Sequence, residues 1–337
     1  MPDIAYMKSA SASAVAGEGI DSIQIQQAEI PRPNPGEALV RLGMATLNFR
    51  DLLALRGLVA NAKTPRYVPL SDGVGEVVAV AGDVTRVSVG DRVSPLFAQG
   101  WISGPRPTPD MLGGPVDGVA REFAVFNAES LCLIPESIAD AQAAAMPCAG
   151  LTAWNALFGE KPLQEGNWVL LQGTGGVSSA ALLFAKAAGA RVIITSSSDA
   201  KLEQAKSLGA DVTINYRETP DWSAAALKAS GGRGVDVLVD VVGESQIEQS
   251  ARAVAPDGVI AAVGRLQGEA SWGKEVGRKL VPIVVGNRDQ HEAMLRFCDN
   301  HGINFAISSV SKLEELPAAF RLLESGRFFG KIAIDLQ

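Results

Sequence analysis

Glycines stand close together after an apolar run in the middle of the chain, in an arrangement that could bind phosphate. The turn residues are Gly173, Thr174, Gly175, Gly176 and Val177. Residues 168–171 predict a buried strand, and the Ala- and Leu-rich pattern from 177 predicts a helix that ends at Gly189. Gly173 permits a turn that a Cβ would obstruct, and Gly175 lets a pyrophosphate approach the main chain. Because the helix N-terminus offers free N–H groups to phosphates, the stretch predicts a dinucleotide site.

The third glycine of the usual dinucleotide-binding pattern is absent, and Ser178 stands in its place. That glycine mainly serves the packing of the helix against the strand. A serine is small, so the substitution is compatible with the predicted site.

Hydroxyl groups follow the next predicted strand, residues 191–195, where an NAD site usually carries an acidic residue. Ser196 and Ser197 stand there instead, and Lys201 follows. Hydroxyls and an ammonium suit a ribose 2′-phosphate, and no carboxylate at this strand end repels it. The serines could also cap the helix that starts near Asp199. The pattern favours NADPH over NADH.

The composition of the 337 residues is that of an ordinary water-soluble chain long enough for two domains, with 47% apolar and 20% charged residues. The net charge of −7 argues against nonspecific nucleic-acid binding. No apolar run reaches the length of a membrane span, and the N-terminus lacks a signal-peptide pattern. Three scattered cysteines are too few for a disulfide framework. We therefore expect a cytoplasmic protein that acts on a small molecule.

The chain changes character near residue 140. Short apolar segments with frequent Gly and Pro precede this point and predict strands of a partly open antiparallel barrel. They enclose a long loop, residues 98–119, which could be a lid, a substrate wall or a passive insertion. After residue 140, near-continuous apolar strands alternate with helical stretches, which predicts a parallel sheet covered on both faces.

Motifs along nearly the whole length resemble the medium-chain dehydrogenase/reductase family. They are Asn48-Phe-Arg-Asp51, Val89-Gly-Asp-Arg-Val93, Leu151-Thr-Ala-Trp154, the glycine turn, Ala205-Lys-Ser-Leu-Gly-Ala-Asp211, Ile214-Asn-Tyr216, Gly232-Arg-Gly-Val-Asp236 and Gly330-Lys331. The resemblance implies an α/β protein with a GroES-like barrel as catalytic domain (1–140), a Rossmann doubly wound domain (141–303) and a C-terminal return to the catalytic domain (304–337). It also implies an active site in the cleft between the two domains.

The resemblance includes both zinc alcohol dehydrogenases and zinc-free reductases. Where the zinc members carry their first cysteine, this chain has Asn48, and at their His-Glu pair it has Ser71 and Asp72. Cys148 fits the third ligand position, but one cysteine cannot hold zinc. The loop at 98–119 contains no cysteine for a structural zinc site. We therefore expect no bound metal.

The resemblance also suggests roles for individual residues. Asn48 would lie beside the nicotinamide or the substrate. Tyr67 and Lys63 lie in the expected cleft segment as candidate proton donors, although water could serve instead. Arg50 and Asp51 are expected to form a structural ion pair. Further cofactor contacts are implied at Thr152, Tyr216, Val242, Gly264 and Lys331, with Thr152 near the nicotinamide ribose and Tyr216 near the 2′-phosphate. Asn48, Thr152 and Tyr216 also have ordinary structural interpretations, as a turn amide, a helix cap and a packed aromatic.

Without zinc, a simple alcohol has no Lewis acid to polarise its oxygen. The expected function is therefore NADPH-dependent transfer of hydride to an activated acceptor, an α,β-unsaturated carbonyl or a quinone. The stretch from 47 to 51 resembles quinone reductases and the enoyl reductase domains of polyketide and fatty-acid synthases. Two alternatives stay open: a zinc-independent alcohol dehydrogenase or carbonyl reductase, and a nucleotide-binding protein without turnover.

The apolar run at residues 280–285 predicts both an edge strand and a dimer interface. Pro282 cannot donate to a sheet ladder, so it belongs on an edge strand or at a bulge. An exposed apolar edge is a liability that a second copy of the chain can cover. Members of the family often join across such a strand, so we expect a homodimer with this strand in the interface.

Overall fold

The computed structural model describes residues 5–13, 17–58, 65–105, 110–114, 116–264 and 277–337. The chain forms two units. One comprises Met1–Cys148 and Gly286–Gln337, and the other Ala149–Val285. The second unit is therefore inserted into the sequence of the first.

Short strands dominate the first 148 residues. In chain order the elements are β1 (Tyr6–Ser13), β2 (Gln24–Glu29), β3 (Glu37–Thr46), α1 (Phe49–Leu55), β4 (Arg66–Tyr67), β5 (Asp72–Val80), β6 (Arg92–Pro95), β7 (Phe123–Asn127), β8 (Leu131–Leu133) and α2 (Asp140–Ala144). One π-helical turn, Met146–Gly150, follows α2. Such turns occur often at functional sites because they displace the local backbone.

Strands and helices alternate in the second unit. They are α3 (Leu151–Phe158), β9 (Trp168–Gln172), α4 (Gly176–Ala187), β10 (Arg191–Ser196), α5 (Asp199–Ser207), β11 (Val212–Asn215), α6 (Trp222–Ala229), β12 (Val235–Asp240), α7 (Ile247–Ala253), β13 (Val254–Ala262) and β14 (Lys279–Pro282). The six strands pair in parallel in the order β11-β10-β9-β12-β13-β14. This is the doubly wound order in which ligands bind at the carboxyl ends of the strands.

The remaining elements complete the first unit. They are α8 (Arg288–His301), β15 (Ile307–Lys312), α9 (Leu316–Ser325) and β16 (Lys331–Asp335). β16 pairs antiparallel with β3, which continues the sheet β15-β16-β3-β5-β6-β8, and β7 also pairs with β3. A three-stranded sheet, β2-β1-β4, belongs to the same unit. Buried side chains of β3, α1 and α9, such as Leu42, Leu52 and Phe320, share its core.

The unit boundaries differ from the expected domain boundaries at two places. Residues 141–148, which the sequence analysis placed at the start of the dinucleotide-binding domain, belong to the first unit. Residues 286–303, which the sequence analysis grouped with the dinucleotide-binding domain, belong to the first unit. The cause is local contact: α8 packs against β8, and the backbone N–H of Arg288 donates to the Trp101 carbonyl at 3.0 Å. A helix that follows a parallel strand in sequence does not by itself reveal which sheet it covers.

The predicted strand at residues 280–285 is shorter in the structure. β14 ends at Pro282, the Ile283 N–H makes one further bond to the Ala262 carbonyl at 2.9 Å, and Val285 has a left-handed φ of 47°. β14 pairs with β13 and lies at one edge of its sheet, as the proline predicts. No helix in the described part of the chain is long and apolar enough to cross a membrane.

Candidate functional site

The glycine turn after β9 leaves space for a ligand. Gly173 has a φ of 72°, and its N–H donates to the Thr195 carbonyl at 2.8 Å, which holds the turn against β10. A Cβ built on Gly173 or Gly175 would lie more than 4 Å from every described atom outside its own chain neighbours. Gly176 begins α4, so the turn leads directly into a helix N-terminus. Thr174 is buried and Val177 lies in the first turn of the helix.

Ser178 has a structural role that explains why a serine replaces the third glycine. Its side chain is buried, and its hydroxyl donates to the Gln172 carbonyl at 2.6 Å. The bond joins the first turn of α4 to the last residue of β9. The serine therefore keeps helix and strand close together, as a packing glycine would.

Three of the four residues predicted around a 2′-phosphate lie at the ends of two neighbouring strands or directly after them, and the fourth, Lys201, lies in the helix that follows β10. Ser196 is the last residue of β10 and is buried, and its carbonyl accepts from the Tyr216 N–H at 3.1 Å. Ser197 follows it, and Lys201 lies in the first turn of α5, where partial burial lowers the pKa of its ammonium. The Tyr216 side chain is 43% exposed. The backbone bond joins Ser196 to Tyr216, and a shared phosphate-binding role for all four residues stays a prediction.

Two further predicted cofactor residues lie in adjacent loops after β12 and β13. The Asp240 carboxylate accepts from the N–H groups of Val242 and Gly243, and its carbonyl accepts from the Gly264 N–H at 2.8 Å. A Cβ on Gly264 would lie 2.3 Å from the Val241 backbone, so only glycine fits this approach. Burial raises the pKa of Asp240, and its carboxylate also accepts from Ser250. Thr152 is buried in the first turn of α3.

A buried polar ring occupies the first unit. It consists of Asn48, Ser71, Asp72 and Lys331, and we call it the polar ring. The Lys331 ammonium donates to Asn48 Oδ1 at 2.6 Å and lies 3.5 Å from Asp72 Oδ2. Asn48 Nδ2 donates to Ser71 Oγ at 3.3 Å, and Ser71 Oγ donates to Asp72 Oδ1 at 2.8 Å. All four side chains are at most 7% exposed.

The chemistry of the four groups fixes the direction of every bond in the ring. An ammonium can only donate, so the Asn48 oxygen must face Lys331 and its amide nitrogen must face Ser71. Ser71 then accepts from the amide and donates to the carboxylate. Lys331 and Asp72 form a buried ion pair. Removing two charges from water costs free energy, which is offset only when each charge has a partner of opposite charge and further hydrogen bonds.

The backbone before Ser71 and Asp72 is strained and closely packed, and this fixes the place of both residues. Leu70 has a φ of 67°, a left-handed conformation that a branched hydrophobic residue rarely adopts. Its carbonyl accepts from the Val119 N–H at 2.9 Å, and a Cβ on Gly118 would lie only 1.9 Å from the same oxygen. The segment at 68–70 is thus held against the segment at 118–120. Strain of this kind persists where the surrounding structure enforces it, often at functional sites.

Two other segments complete the surroundings of the polar ring. The Cys148 N–H, in the π-helical turn, donates to Asp72 Oδ2 at 3.3 Å. Lys331 begins β16 directly after Gly330, which has a φ of 73° and whose Cβ would lie 2.2 Å from the Ala306 carbonyl oxygen. The Gly330-Lys331 pair therefore has a geometric reason: the glycine lets the chain pass residue 306 while the lysine turns inward.

The expected ion pair between Arg50 and Asp51 is present, with Arg50 Nη1 3.3 Å from Asp51 Oδ1. Asp51 Oδ2 accepts from the Asn48 N–H at 2.8 Å, and burial raises the pKa of this carboxyl to about 6 despite the nearby guanidinium. Arg50 also donates to the carbonyls of Leu112, Gly113 and Gly114. The arginine thus anchors residues 112–114 to α1.

The structure describes one of the two candidate proton donors, Tyr67. Tyr67 is 5% exposed, and its hydroxyl has no hydrogen-bond partner within the described residues. Burial and the nearby Asp51 raise the pKa of the phenol, which keeps it protonated at neutral pH. Lys63 lies outside the described residues, so its role stays a prediction.

Sequence reasoning assigned Lys331 to the cofactor and did not foresee its bonds to Asn48 and Asp72. Ser71 and Asp72 were considered only as positions that lack zinc ligands, and Asp240 was not considered. Local sequence gives little signal for the ring, because its members come from three distant segments. An acidic residue at the end of an apolar strand, as at Asp240, is the one local signal that could have been followed.

Comparisons with known proteins agree with the fold. Residues 34–136 match the family model described as alcohol dehydrogenase GroES-like domain, and residues 176–300 match that described as zinc-binding dehydrogenase. A zinc-type alcohol dehydrogenase-like protein of Schizosaccharomyces pombe is 38% identical over 333 residues, which cover 94% of this chain and 96% of that protein.

Solved structures give the same result. One from Sinorhizobium meliloti 1021 has a TM-score of 0.91 and 36% identity, and the match covers 99% of this chain and 100% of the other. A quinone oxidoreductase of Pseudomonas syringae pv. tomato has a TM-score of 0.83 and 27% identity over 98% of this chain and 99% of the other. The chain is therefore an oxidoreductase that belongs to the medium-chain dehydrogenase/reductase superfamily, with a GroES-like and a Rossmann-like domain, as its motifs predict.

Proposed function

We propose that this protein is a zinc-independent, NADPH-dependent reductase that transfers hydride to an activated acceptor, an α,β-unsaturated carbonyl or a quinone. The observation that carries the proposal is the polar ring. It places a lysine ammonium among the positions that the family resemblance gives to the zinc ligands. A relative described as alcohol dehydrogenase-like and a solved structure described as a quinone oxidoreductase support either kind of hydride chemistry for the fold.

The residues at the zinc positions do not fit a zinc ion. Asp72 and Cys148 are the only anionic or thiol candidates among them, whereas a catalytic zinc needs about three protein ligands. Asp72 already accepts from Ser71 and Cys148, and the Lys331 cation lies 3.5 Å from it. Burial raises the pKa of the Cys148 thiol, which opposes the thiolate that zinc requires. No group of three His, Cys, Asp or Glu in the described ranges could hold a metal.

The acceptor class follows from this electrostatic arrangement. Oxidation of a simple alcohol needs a Lewis acid or a base on its oxygen. Reduction of a conjugated carbonyl or a quinone places the hydride on an already electrophilic system, and the negative charge that develops on oxygen needs only a donor or a cation. The Lys331 ammonium of the polar ring is such a cation.

A screen of acceptors tests the proposal. NADPH oxidation is followed by its absorbance with panels of enones, enals, quinones, aldehydes and ketones, and NADP⁺ reduction is followed with alcohols. We expect turnover with the first three classes. Turnover confined to alcohols and saturated carbonyls would favour the alcohol dehydrogenase alternative, and NADPH binding without oxidation across all panels would favour a non-catalytic protein.

Metal removal should leave this activity unchanged. Because the zinc positions offer an ion pair in place of a ligand set, the purified protein should hold far less than one zinc per chain, measured by elemental analysis. Activity should survive prolonged dialysis against a chelator. One tightly bound zinc per chain, with activity lost on chelation and restored by zinc, would contradict zinc independence.

Cofactor preference should depend on Lys201. Replacing Lys201 by alanine should weaken NADPH binding by about 1–3 kcal/mol and leave NADH binding nearly unchanged, because the proposed ligand partner of the ammonium is the 2′-phosphate, which NADH lacks. Fluorescence titration of both cofactors measures this. The matched control is Lys206→Ala, which removes an exposed lysine of the same helix. An equal loss for both cofactors would reject the 2′-phosphate assignment.

We further propose a homodimer that uses the edge strand β14. Light scattering at micromolar concentration should give twice the chain mass, and Val284→Asp should reduce it to the monomer, since this valine is 39% exposed next to the edge. Val310→Asp is the matched control, because Val310 is 55% exposed on β15, an edge strand of the other unit. If the unmodified protein is a monomer, or if the dimer survives Val284→Asp, β14 does not form the interface.

A further inference from the structure

We propose that Asp240 is a positioning residue of the cofactor site and that it fixes the two loops that receive the nicotinamide half of NADPH. Asp240 is the last residue of β12 and is completely buried. It bonds directly to the loops after β12 and β13, and through Ser250 to the end of β9. All of these residues belong to the second unit. The proposal rests on the NADPH dependence proposed above.

The carboxylate and the carbonyl of Asp240 hold one loop each. Carboxylate Oδ1 accepts from the N–H groups of Val242 at 3.0 Å and Gly243 at 2.8 Å. The carbonyl oxygen accepts from the N–H groups of Val263 at 2.9 Å and Gly264 at 2.8 Å. The two loops also lie close together, since a Cβ built on Gly243 would be 3.1 Å from the Gly264 carbonyl oxygen. One residue thus fixes where both loops begin.

The other carboxylate oxygen connects Asp240 to the strand that precedes the glycine turn. Oδ2 accepts from the Ser250 hydroxyl at 3.1 Å, and this hydroxyl accepts from Gln172 Nε2 at 3.1 Å. Gln172 ends β9 directly before Gly173, and its carbonyl accepts from Ser178 in the first turn of α4. Because Gln172 and Ser250 are buried as well, this chain of bonds is shielded from water. It joins the loops after β12 and β13 to the predicted phosphate-binding turn.

The order of the strands assigns the nicotinamide half to these two loops. In the order β11-β10-β9-β12-β13, the residues predicted for the 2′-phosphate follow β10 and β11, and the glycine turn predicted for the pyrophosphate follows β9. A dinucleotide that extends along the carboxyl edge of the sheet from the first position through the second continues over the loops after β12 and β13. The loops that Asp240 holds are therefore those that the nicotinamide and its ribose would contact.

The environment of the Asp240 carboxylate argues for a role in geometry rather than in ion pairing. Burial raises the pKa of this carboxyl, the three hydrogen bonds that it accepts lower it, and no cation pairs with it within the described residues. A buried carboxylate costs free energy that an apolar residue at the same place would not. A carboxylate, however, only accepts hydrogen bonds and has two oxygens for them, so it can hold donors from two segments at once.

The test measures the affinity of Asp240→Ala for NADPH and for 2′,5′-ADP, which lacks the nicotinamide half. NADPH binding should weaken by about tenfold, because two hydrogen bonds to a charged acceptor no longer hold the loop after β12, and 2′,5′-ADP binding should change by less than about threefold. The matched control is Asp236→Ala. Asp236 is also buried in β12, but it lies near the opposite end of the strand, where it accepts from the Trp168 N–H at 2.8 Å. Asp236→Ala should leave both affinities unchanged.

A spectroscopic measurement separates positioning from a general loss of structure. The dihydronicotinamide ring of NADPH fluoresces, and its anisotropy at saturating protein reports how firmly the ring is held. This anisotropy should fall in Asp240→Ala and stay unchanged in Asp236→Ala, even where both variants lose the same stability. Asp240→Asn keeps an oxygen for the N–H groups of Val242 and Gly243 but loses the acceptor for Ser250. Its anisotropy should therefore lie between those of Asp240→Ala and the unmodified protein.

Three results would overturn the proposal: an unchanged anisotropy in every Asp240 variant that folds, equal losses of affinity for NADPH and 2′,5′-ADP, or the same losses in Asp236→Ala. Asp240→Asn keeps the test decisive if Asp240→Ala does not fold, because asparagine has nearly the shape of aspartate. If the unmodified protein binds neither NADPH nor 2′,5′-ADP, the proposed cofactor dependence itself fails, which is a different result. If it binds NADH instead, the comparison of NADH with ADP tests Asp240 in the same way.

Discussion

Replacing Lys331 by methionine is expected to lower the free energy of unfolding by about 3–5 kcal/mol, because it leaves the Asp72 carboxylate buried without its cation. Asp72 is completely buried, and Ser71 and the Cys148 N–H are its remaining partners in the described structure. Two hydrogen bonds cannot replace a compensating charge at such a site. Urea-induced unfolding, followed by circular dichroism, measures the loss.

A double-mutant cycle separates the ion pair from the lost packing of the lysine. The double variant Lys331→Met with Asp72→Asn should recover most of the loss, because neither charge then remains unpaired. Lys228→Met, which changes an exposed lysine, should shift the free energy of unfolding by no more than about 0.5 kcal/mol. If the losses of Lys331→Met alone and Asp72→Asn alone simply add in the double variant, the charges are not coupled and this account of the polar ring is wrong.

The second large effect concerns pH and His291 in α8. The imidazole is completely buried, neither ring nitrogen has a partner within the described residues, and burial lowers its pKa to about 4. Between pH 6.5 and 4 the unfolded chain therefore takes up a proton that the folded chain does not. Stability is fully present above pH 6.5 and falls with pH, by about 3 kcal/mol in total. His291→Leu should abolish this contribution.

The free energy of unfolding must be compared between the wild type and His291→Leu at each pH. Burial raises the pKa of Asp51 to about 6, so this carboxyl contributes in the opposite direction over part of the same interval. Urea unfolding at several pH values between 4 and 7 gives the difference directly. His301→Leu is the control, because the chain has two histidines and His301 is exposed. A wild-type protein that loses no stability relative to His291→Leu would show that the imidazole finds a partner on protonation.

The second unit is predictable from sequence to a greater extent than the first. Its strands are short apolar runs separated by amphipathic helices, and its phosphate-binding turn depends on local glycine geometry, as at Gly173. Every one of these signals lies within about thirty residues of its structural consequence. Even Ser178, the departure from the pattern, fulfils its role through a contact six residues away.

The polar ring could not be predicted in the same way, because its geometry depends on contacts between distant segments. Lys331 and Asn48 are 283 positions apart, and their contact depends on the pairing of β16 with β3. Leu70 has its unusual backbone where residues 118–120 bond to the segment at 68–70. A lysine after a glycine near the end of a motif carries no local signal that its side chain turns into a buried ion pair.

The insertion of the second unit into the first also has a consequence for biosynthesis. During translation, residues 149–285 emerge complete before residue 331 exists, so the second unit can fold while the first still lacks β16. Until then Asp72 and Asn48 have no lysine partner, and the edge of β3 that β16 covers stays unpaired. The nascent first unit thus exposes a strand edge that chaperones recognise and that favours aggregation. Released chains that end before residue 331 and released chains of full length should differ sharply in their sensitivity to proteases, and the difference should lie in the first unit.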